Sequence, residues 1–314
     1  MSGFVSLVFA PGFFESAPVA SAVVAGGVVA AVSAVVGVFT VMRGQSFAGH
    51  ALSDMGTTGG SGAFLVGVSP LWGFVTVSVV AVAAMELIGI RRPRGRDVAT
   101  GIVFGAALGL AALFLYWDTT VRNASGAAMT ILFGSLFTVS SGTVPIVVAL
   151  GAVSLVLVLG LFRPLLLAST SADLAAARGV PVRLVGIGYL LAMALAVSLS
   201  AYTIGAILST ALLVGPAAAA ARLARSPLAA TLGAVALGVT AVLVGIVLAY
   251  DSYDWPPVGH GWPVSFFVVT LIFVFYLLAG VPRRWSARRT SPAPAAQAMP
   301  APLRDRAGAP AGRG

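Results

Sequence analysis

The sequence of 314 residues contains no cysteine and no lysine, and all 18 of its basic residues are arginine. Without cysteine the chain cannot form a disulfide, a thiolate metal site or a catalytic thiol. Without lysine it cannot bind ATP through a Walker A loop, because that loop uses a lysine to reach the phosphates. Charged residues make up only 9% of the chain, whereas a soluble domain carries about 25%.

Apolar residues dominate what remains. Hydrophobic residues account for 59% of the chain and the mean hydropathy is +1.03, which predicts an all-α, polytopic transmembrane helical bundle. The net charge is +9, but the arginines lie between the apolar runs and near the C-terminus. This is the positive-inside pattern of membrane proteins, so the charge points to the lipid bilayer and not to nucleic acid.

Apolar runs long enough to cross a hydrocarbon core of about 30 Å predict eight to nine spans. They cover residues 19–42, 46–67, 70–90, 98–117, 143–163, 183–202, 204–221, 228–250 and 264–281. A further apolar run, 128–139, is too short to cross the membrane, which predicts a re-entrant or interfacial helix.

The remaining segments complete the predicted organisation. Residues 1–18 form an N-terminal interfacial segment, and 19–282 form the transmembrane domain. Residues 164–183 are the longest internal polar connection, which the clustering of arginine places in the cytoplasm. Residues 283–314 are rich in arginine, proline and alanine and lack an apolar period, so they are predicted to be a disordered cytoplasmic tail.

The most informative polar pair is His50 and Asp54, in the second apolar span. On a helix, a separation of four residues places both side chains on one face. An imidazole and a carboxylate together form half of a site for a divalent transition metal, and charged groups at membrane depth are usually functional. The alternative is a structural hydrogen-bonded pair that joins two helices.

Two other groups of charged residues can be explained by structure alone, although the first also allows a functional role. Asp251, Asp254 and His260 lie in a polar aromatic connection, 251–263. They are either ordinary residues of a solvated loop, or they line a pathway entrance that meets a partner protein or guides a cation. Glu86, near the inner end of the third span, is predicted to reach toward Arg91 or Arg92.

Several stretches between about residues 20 and 281 resemble the permease subunits of ABC importers for zinc, manganese and iron, the ABC-3 type. VMRGQSFAGHALSD, from Val41, is similar to the family's Arg-x-x-Ser-x-x-Gly-Asp-Ala-x-x-His. DVATGIVFG from Asp97, ILFGSL from Ile131 and GAILSTALLVGPAAAA from Gly205 also resemble family segments. The loop YDWPPVG, from Tyr253, resembles the family's Tyr-Asp-x-Pro-x-Gly, with one more residue before the glycine. The chain departs from the family in one respect, since His50 precedes Asp54 where the family has Asp and then His.

The resemblance implies a fold of the metal or chelate importer type, located in the bacterial inner membrane. It also implies a transported zinc or manganese ion, with no permanently bound cofactor. It also implies three protein partners: a separate ATP-binding subunit, a second permease subunit and an extracytoplasmic metal-binding protein. ATP hydrolysis would then occur on another chain, so this chain is not itself expected to be an enzyme. Segment 164–183 would dock on the ATPase through a motif approximated by Asp173, Ala177, Gly179 and Val180.

Two other functions stay open. The same architecture could carry an iron chelate, or the pair could serve a proton-coupled secondary transporter that needs no ATPase. An intramembrane enzyme is disfavoured, because the sequence has no Gly-x-Ser-x-Gly and no His-Glu-x-x-His motif.

Overall fold

The structure, a computed structural model, describes residue 13 and residues 16–89, 96–134, 136–256, 259 and 261–290. Over these residues it is helical and contains no strand, which confirms the predicted all-α class. The α-helices of this part of the chain, in order, are α1 (Ala17–Met42), α2 (Ser46–Leu65), α3 (Pro70–Gly89), α4 (Arg96–Thr120), α5 (Ala127–Phe133), α6 (Val144–Gly160), α7 (Phe162–Thr170), α8 (Ala172–Ala177), α9 (Val182–Ile204), α10 (Ala206–Leu223), α11 (Pro227–Asp251) and α12 (Val264–Thr290).

Local sequence signals explain many of the helix ends. Pro70 and Pro227 are the first residues of α3 and α11, where a proline costs nothing because the first helical N–H groups have no partner in the helix. The Ser226 hydroxyl accepts a hydrogen bond from the backbone N–H of Ala229, at 3.2 Å, and so caps α11. The short apolar run at 128–139 forms α5 and a 3₁₀ helix, Leu136–Thr138.

Four of the described helices are long and apolar enough to cross a membrane by themselves. They are Ala17–Met42, Val182–Ile204, Ala206–Leu223 and the run Pro227–Asp254. The pair α6 and α7, bent by 59° at residue 161, would make a fifth if it is one span. Two shorter apolar helices, Pro70–Glu86 and Val264–Gly280, add to the bundle. The number of crossings, eight to nine, stays a prediction.

The core is built around α1 and α9. Helix α1 packs against α6, α9, α10 and α11, and α9 also packs against α2 and α3. Helix α2 carries many glycine, serine and threonine residues, yet most of it is buried between α3, α4, α9 and α10. Small side chains let helix backbones approach closely, which is how helices associate where lipid is as apolar as the protein interior. The most polar of these helices is therefore a central part of the bundle.

Two predicted segments fall at the edges of the described structure. Of the predicted interfacial segment 1–18, most lies outside the described residues, and α1 begins at Ala17. At the other end, α12 continues to Thr290, so helix extends into the region predicted as a disordered tail. The rest of that tail lies outside the described residues.

Glu86 forms an ion pair that the sequence did not indicate. Its Oε1 lies 3.1 Å from Nε of Arg183, at the start of α9. The partners predicted from the sequence, Arg91 and Arg92, lie outside the described residues. The contact ties the end of α3 to the beginning of α9, directly after the short helices α7 and α8.

Candidate metal site

His50 and Asp54 lie one turn apart on α2, as their spacing predicts. Nε2 of His50 is 3.4 Å from Oδ2 of Asp54. The imidazole side chain is 44% exposed and the carboxylate 14% exposed, so the histidine is the more accessible of the two. The exchanged order of the two residues therefore still places an imidazole nitrogen and a carboxylate oxygen side by side.

The second nitrogen of the same imidazole contacts another helix. Nδ1 of His50 is 3.1 Å from the hydroxyl oxygen of Thr210, on α10. Thr210 is not one of the site residues predicted from the sequence, although it lies within the stretch beginning at Gly205 that resembles the family. The pair thus belongs to an interface between two helices rather than to α2 alone.

Serine hydroxyls fix the two helices at this level. The hydroxyl of Ser53 donates to the carbonyl oxygen of Ala206 at 2.7 Å and lies 2.5 Å from the hydroxyl of Ser209. Gly49, one turn earlier on α2, faces the side chain of Leu213 so closely that a methyl group there would have to displace it. Because Ser53 and Ser209 are both buried, these contacts hold α2 and α10 in one register at the pair.

Helix α10 begins after a turn that interrupts the helical backbone. Gly205 has φ +103°, a conformation that residues with a Cβ rarely adopt, and it separates α9 from α10. A Cβ on Gly134, at the end of α5, would collide with the backbone of Ile204 and Gly205. The short helix α5 therefore packs directly on the turn from which α10 and its Thr210 start.

Two protein ligands are too few for a tight transition-metal site, since structural zinc takes four. Among the described residues no group of three or more His, Cys, Asp or Glu side chains comes together. A metal ion at His50 and Asp54 would therefore complete its coordination with water, hydroxyl or backbone oxygen, or groups of another chain. Such an incomplete set suits a site that a cargo ion enters and leaves.

Of the other candidate metal residues, the two that the structure describes, Asp251 and Asp254, do not join this pair. Asp251 ends α11, and Asp254 lies in a 3₁₀ helix, Ser252–Asp254. A cavity of about 430 Å³ opens beside Asp254 and is lined by Phe137, Ala249, Tyr250, Tyr253, Asp254, Gly261 and Trp262. His260 lies outside the described residues. The role of these residues in guiding a cation stays a prediction.

The predicted ATPase-coupling residues lie on and just after α8. Asp173 is in the first turn of α8, where a carboxylate is favoured by the positive end of the helix. Ala177 is the last residue of α8, and Gly179, with φ +77°, makes the turn that leads through Val180 to α9. A short helix capped by Ser171 therefore connects directly to the long helix α9.

Comparison with known proteins gives one family match and relatives whose names agree with it. The ABC 3 transport family matches residues 16–280. The manganese transport system membrane protein MntC of Halalkalibacterium halodurans is 29% identical over 81% of this chain and 86% of its own length. The high-affinity zinc uptake system membrane protein ZnuB of Haemophilus influenzae is 28% identical over 76% of this chain and 90% of its own.

Solved structures show the same architecture. PsaBC from Streptococcus pneumoniae, solved in complex with a Fab, has a chain that superposes with a TM-score of 0.73 at 27% identity, covering 85% of this chain and 92% of that one. A transporter described as of the metal-chelate ABC type, in an inward-facing conformation, superposes with a TM-score of 0.68 at 16% identity and supports the fold alone. The chain therefore belongs to the ABC 3 transport family and is a membrane-embedded permease of that family.

Proposed function

We propose that this chain is the membrane-spanning permease subunit of an importer for a divalent transition metal, manganese or zinc, and that ATP hydrolysis on a separate subunit drives it. The observation that carries the proposal is the pair His50 and Asp54, side by side at 3.4 Å on a buried, glycine-rich helix. The relatives named for manganese transport and for zinc uptake support these two cargoes.

The chemistry of the pair suits temporary binding. The imidazole nitrogen suits zinc and the carboxylate oxygen suits manganese, so the pair offers one ligand that favours each of the two cargoes. In the empty protein the two groups pair with each other. An arriving cation takes a place between them, and its departure lets the pair form again. Since a protonated imidazole cannot bind a metal, acid conditions weaken the site.

The helices offer a route from the ATPase to the pair. Helix α8, with Asp173, is the part of the chain that would dock on the ATP-binding subunit. It leads through Gly179 into α9, and α9 ends at the Gly205 turn from which α10 starts. A displacement of α8 would be transmitted through α9 and the Gly205 turn to α10, where Thr210 contacts His50. Alternating access would then open the pair first to the outside and afterwards to the cytoplasm.

The family also implies the partners of this machine. A second permease subunit would complete the pathway, and an extracytoplasmic metal-binding protein would deliver the ion. The absence of lysine agrees with ATP binding on another chain, since no Walker A loop can form here.

The experiment is metal uptake into proteoliposomes that hold this chain with the ATPase subunit that co-purifies with it. Manganese, zinc and iron are offered separately to the wild type, His50→Ala and Asp54→Asn. Thr58→Val serves as the matched control, because it changes another polar side chain of α2, whose hydroxyl donates to the Ala107 carbonyl at 2.6 Å and not to the pair. We expect both pair variants to lose uptake of the cargo metal while the complex still assembles.

Three outcomes would overturn the proposal in different ways. Unchanged uptake in both pair variants would reduce the pair to a contact between helices. Uptake without the ATPase subunit, or without ATP, would instead identify a secondary transporter. Uptake of iron only as a chelate, with no dependence on His50, would make the cargo a chelate.

A further inference from the structure

The imidazole of His50 has a partner at each of its nitrogens, and the two partners differ in chemistry. Nε2 lies 3.4 Å from a carboxylate oxygen of Asp54, which can only accept a hydrogen bond when ionised. Nδ1 lies 3.1 Å from the hydroxyl of Thr210, which can either donate or accept. The ring is therefore held between a fixed acceptor on its own helix and an adaptable group on α10.

Metal binding changes what each nitrogen requires. In the empty site a neutral imidazole pairs best with its proton on Nε2, directed at Asp54, so Nδ1 needs a donor. When a metal ion occupies Nε2, that nitrogen must give up its proton to water, and Nδ1 takes one up and needs an acceptor. The number of protons on the ring is the same in both states. A threonine hydroxyl can serve both states by rotating, whereas a carbonyl or carboxylate oxygen could serve only the second.

We propose that Thr210 is the positioning residue for His50, holding the ring in one orientation in both the empty and the metal-bound state. This inference rests on the proposed function of His50 and Asp54 as a metal conduit. Because Nδ1 keeps a hydrogen bond throughout, Nε2 can exchange the carboxylate of Asp54 for a metal ion without the ring turning away.

The surroundings of Thr210 support a positioning role. Its neighbour Ser209 is tied to Ser53 of α2, at 2.5 Å, so the backbone that carries Thr210 is fixed relative to His50. The β-branched side chain has few rotamers, which leaves the hydroxyl proton as its main freedom. The ring of Phe104 also lies near the imidazole, with ring centroids 6.2 Å apart.

A hydroxyl also suits a site that must release its ion. Carboxylate partners of metal-binding histidines make the imidazole a stronger ligand, and losing an outer partner typically lowers metal affinity by about 10–100-fold. A neutral hydroxyl orients the ring without adding negative charge behind it. The imidazole is therefore held in one orientation, and the site keeps the weak metal binding that transport requires.

The first test compares Thr210→Val, which removes the hydroxyl at nearly constant shape, with Thr210→Ser, which keeps it. Uptake is measured in proteoliposomes of the whole complex with manganese and with zinc. We expect the half-saturating metal concentration to rise about tenfold in Thr210→Val, with a smaller change in the maximal rate, and Thr210→Ser to restore most of it. Thr58→Val is the matched control, since the Thr58 hydroxyl donates to the Ala107 carbonyl on α4, at 2.6 Å, and not to His50.

The second test observes the ring directly. The chain has only two histidines, so the ¹⁵N-histidine signals of His50 are those missing from the spectrum of His50→Ala. In the wild type we expect the proton to move from Nε2 to Nδ1 when zinc is added. In Thr210→Val without metal we expect Nε2 to keep its proton, because Asp54 still accepts it, and the Nδ1 signal to shift, because Nδ1 has lost its hydrogen-bond donor.

The outcomes separate this inference from the proposed function. If His50→Ala abolishes uptake while Thr210→Val matches the wild type in half-saturation and in its ¹⁵N spectrum, Thr210 does not position the ring. An equal effect of Thr210→Ser and Thr210→Val would also overturn the inference, because the hydroxyl would then be irrelevant. If His50→Ala itself leaves uptake unchanged, the conduit is wrong and this inference is wrong with it.

Discussion

Gly59 of α2 and Gly73 of α3 contact each other backbone to backbone. A Cβ placed on Gly59 would collide with the carbonyl group of Gly73, and a Cβ placed on Gly73 would collide with that of Gly59. Only a residue without a side chain fits at either position. This contact seats the helix that carries His50 and Asp54 against its neighbour.

Gly59→Ala should therefore destabilise the protein, even though alanine favours a helix. Overpacking of a close contact costs about 1–3 kcal/mol. Gly109→Ala, on α4, is the matched control, because a Cβ there meets nothing within 4 Å and the better helix propensity gives about 0.5–1 kcal/mol. Thermal unfolding of the purified protein, followed by tryptophan fluorescence, should show a lower midpoint for Gly59→Ala only. Equal midpoints would mean that the two helices lie further apart.

The ion pair of Glu86 and Arg183 should contribute little to stability. Arg183 is 64% exposed and Glu86 16% exposed, and exposed pairs are worth about 0.2–1 kcal/mol. A double-mutant cycle with Glu86→Gln and Arg183→Gln should give a coupling in that range, and the coupling should shrink as salt is added. A coupling well above this range would contradict the exposure of the Arg183 side chain.

Two substitutions of Tyr189, on α9, separate the contribution of its hydroxyl to stability from that of its ring. The ring is fully buried, and its hydroxyl lies 2.7 Å from the Thr40 hydroxyl, which also donates to the Val36 carbonyl at 3.1 Å. Since Thr40 keeps this second partner, Tyr189→Phe should cost about 0.5–1.5 kcal/mol. Tyr189→Ala, which leaves a cavity, should cost about 3–5 kcal/mol. Thermal unfolding of both variants checks the order, and equal losses would show that the hydroxyl outweighs the ring.

Much of the helix layout could be predicted because its signals are local. Helix α1 ends at Met42, directly before the arginine and glycine that the sequence shows there. Helix α3 begins at Pro70 and α11 at Pro227. Long apolar runs separated by arginine or proline define these elements without any knowledge of tertiary contacts.

The contacts between helices could not be predicted in the same way. In a membrane protein the residues that face lipid and those that face other helices are both apolar, so the pattern does not show which side packs where. His50 and Thr210 are separated by 160 positions, and Glu86 and Arg183 by 97. The His50–Asp54 pair was predictable because both residues lie on one helix. The contact of His50 with the Thr210 hydroxyl was not predictable, because Thr210 lies on another helix.

The order of the pair gives a prediction about the role of Thr210. In the double variant His50→Asp/Asp54→His the imidazole moves along α2 by about 6 Å, four residues at 1.5 Å each. At that distance Thr210 can no longer reach it. Thr210→Val should then raise the half-saturating metal concentration by less than about twofold, against about tenfold in the native order.

Uptake by four proteins measures this coupling: the wild type, Thr210→Val, the exchanged double variant, and the triple variant that combines them. Adding Thr58→Val to both orders controls for a general loosening of α2, and we expect it to have the same small effect in each. We expect the exchanged double variant itself to transport metal, because both ligand types stay on one face of the helix. If Thr210→Val weakens uptake equally in both orders, Thr210 acts on the packing of α2 against α10, and the hydrogen bond to His50 has no part in transport.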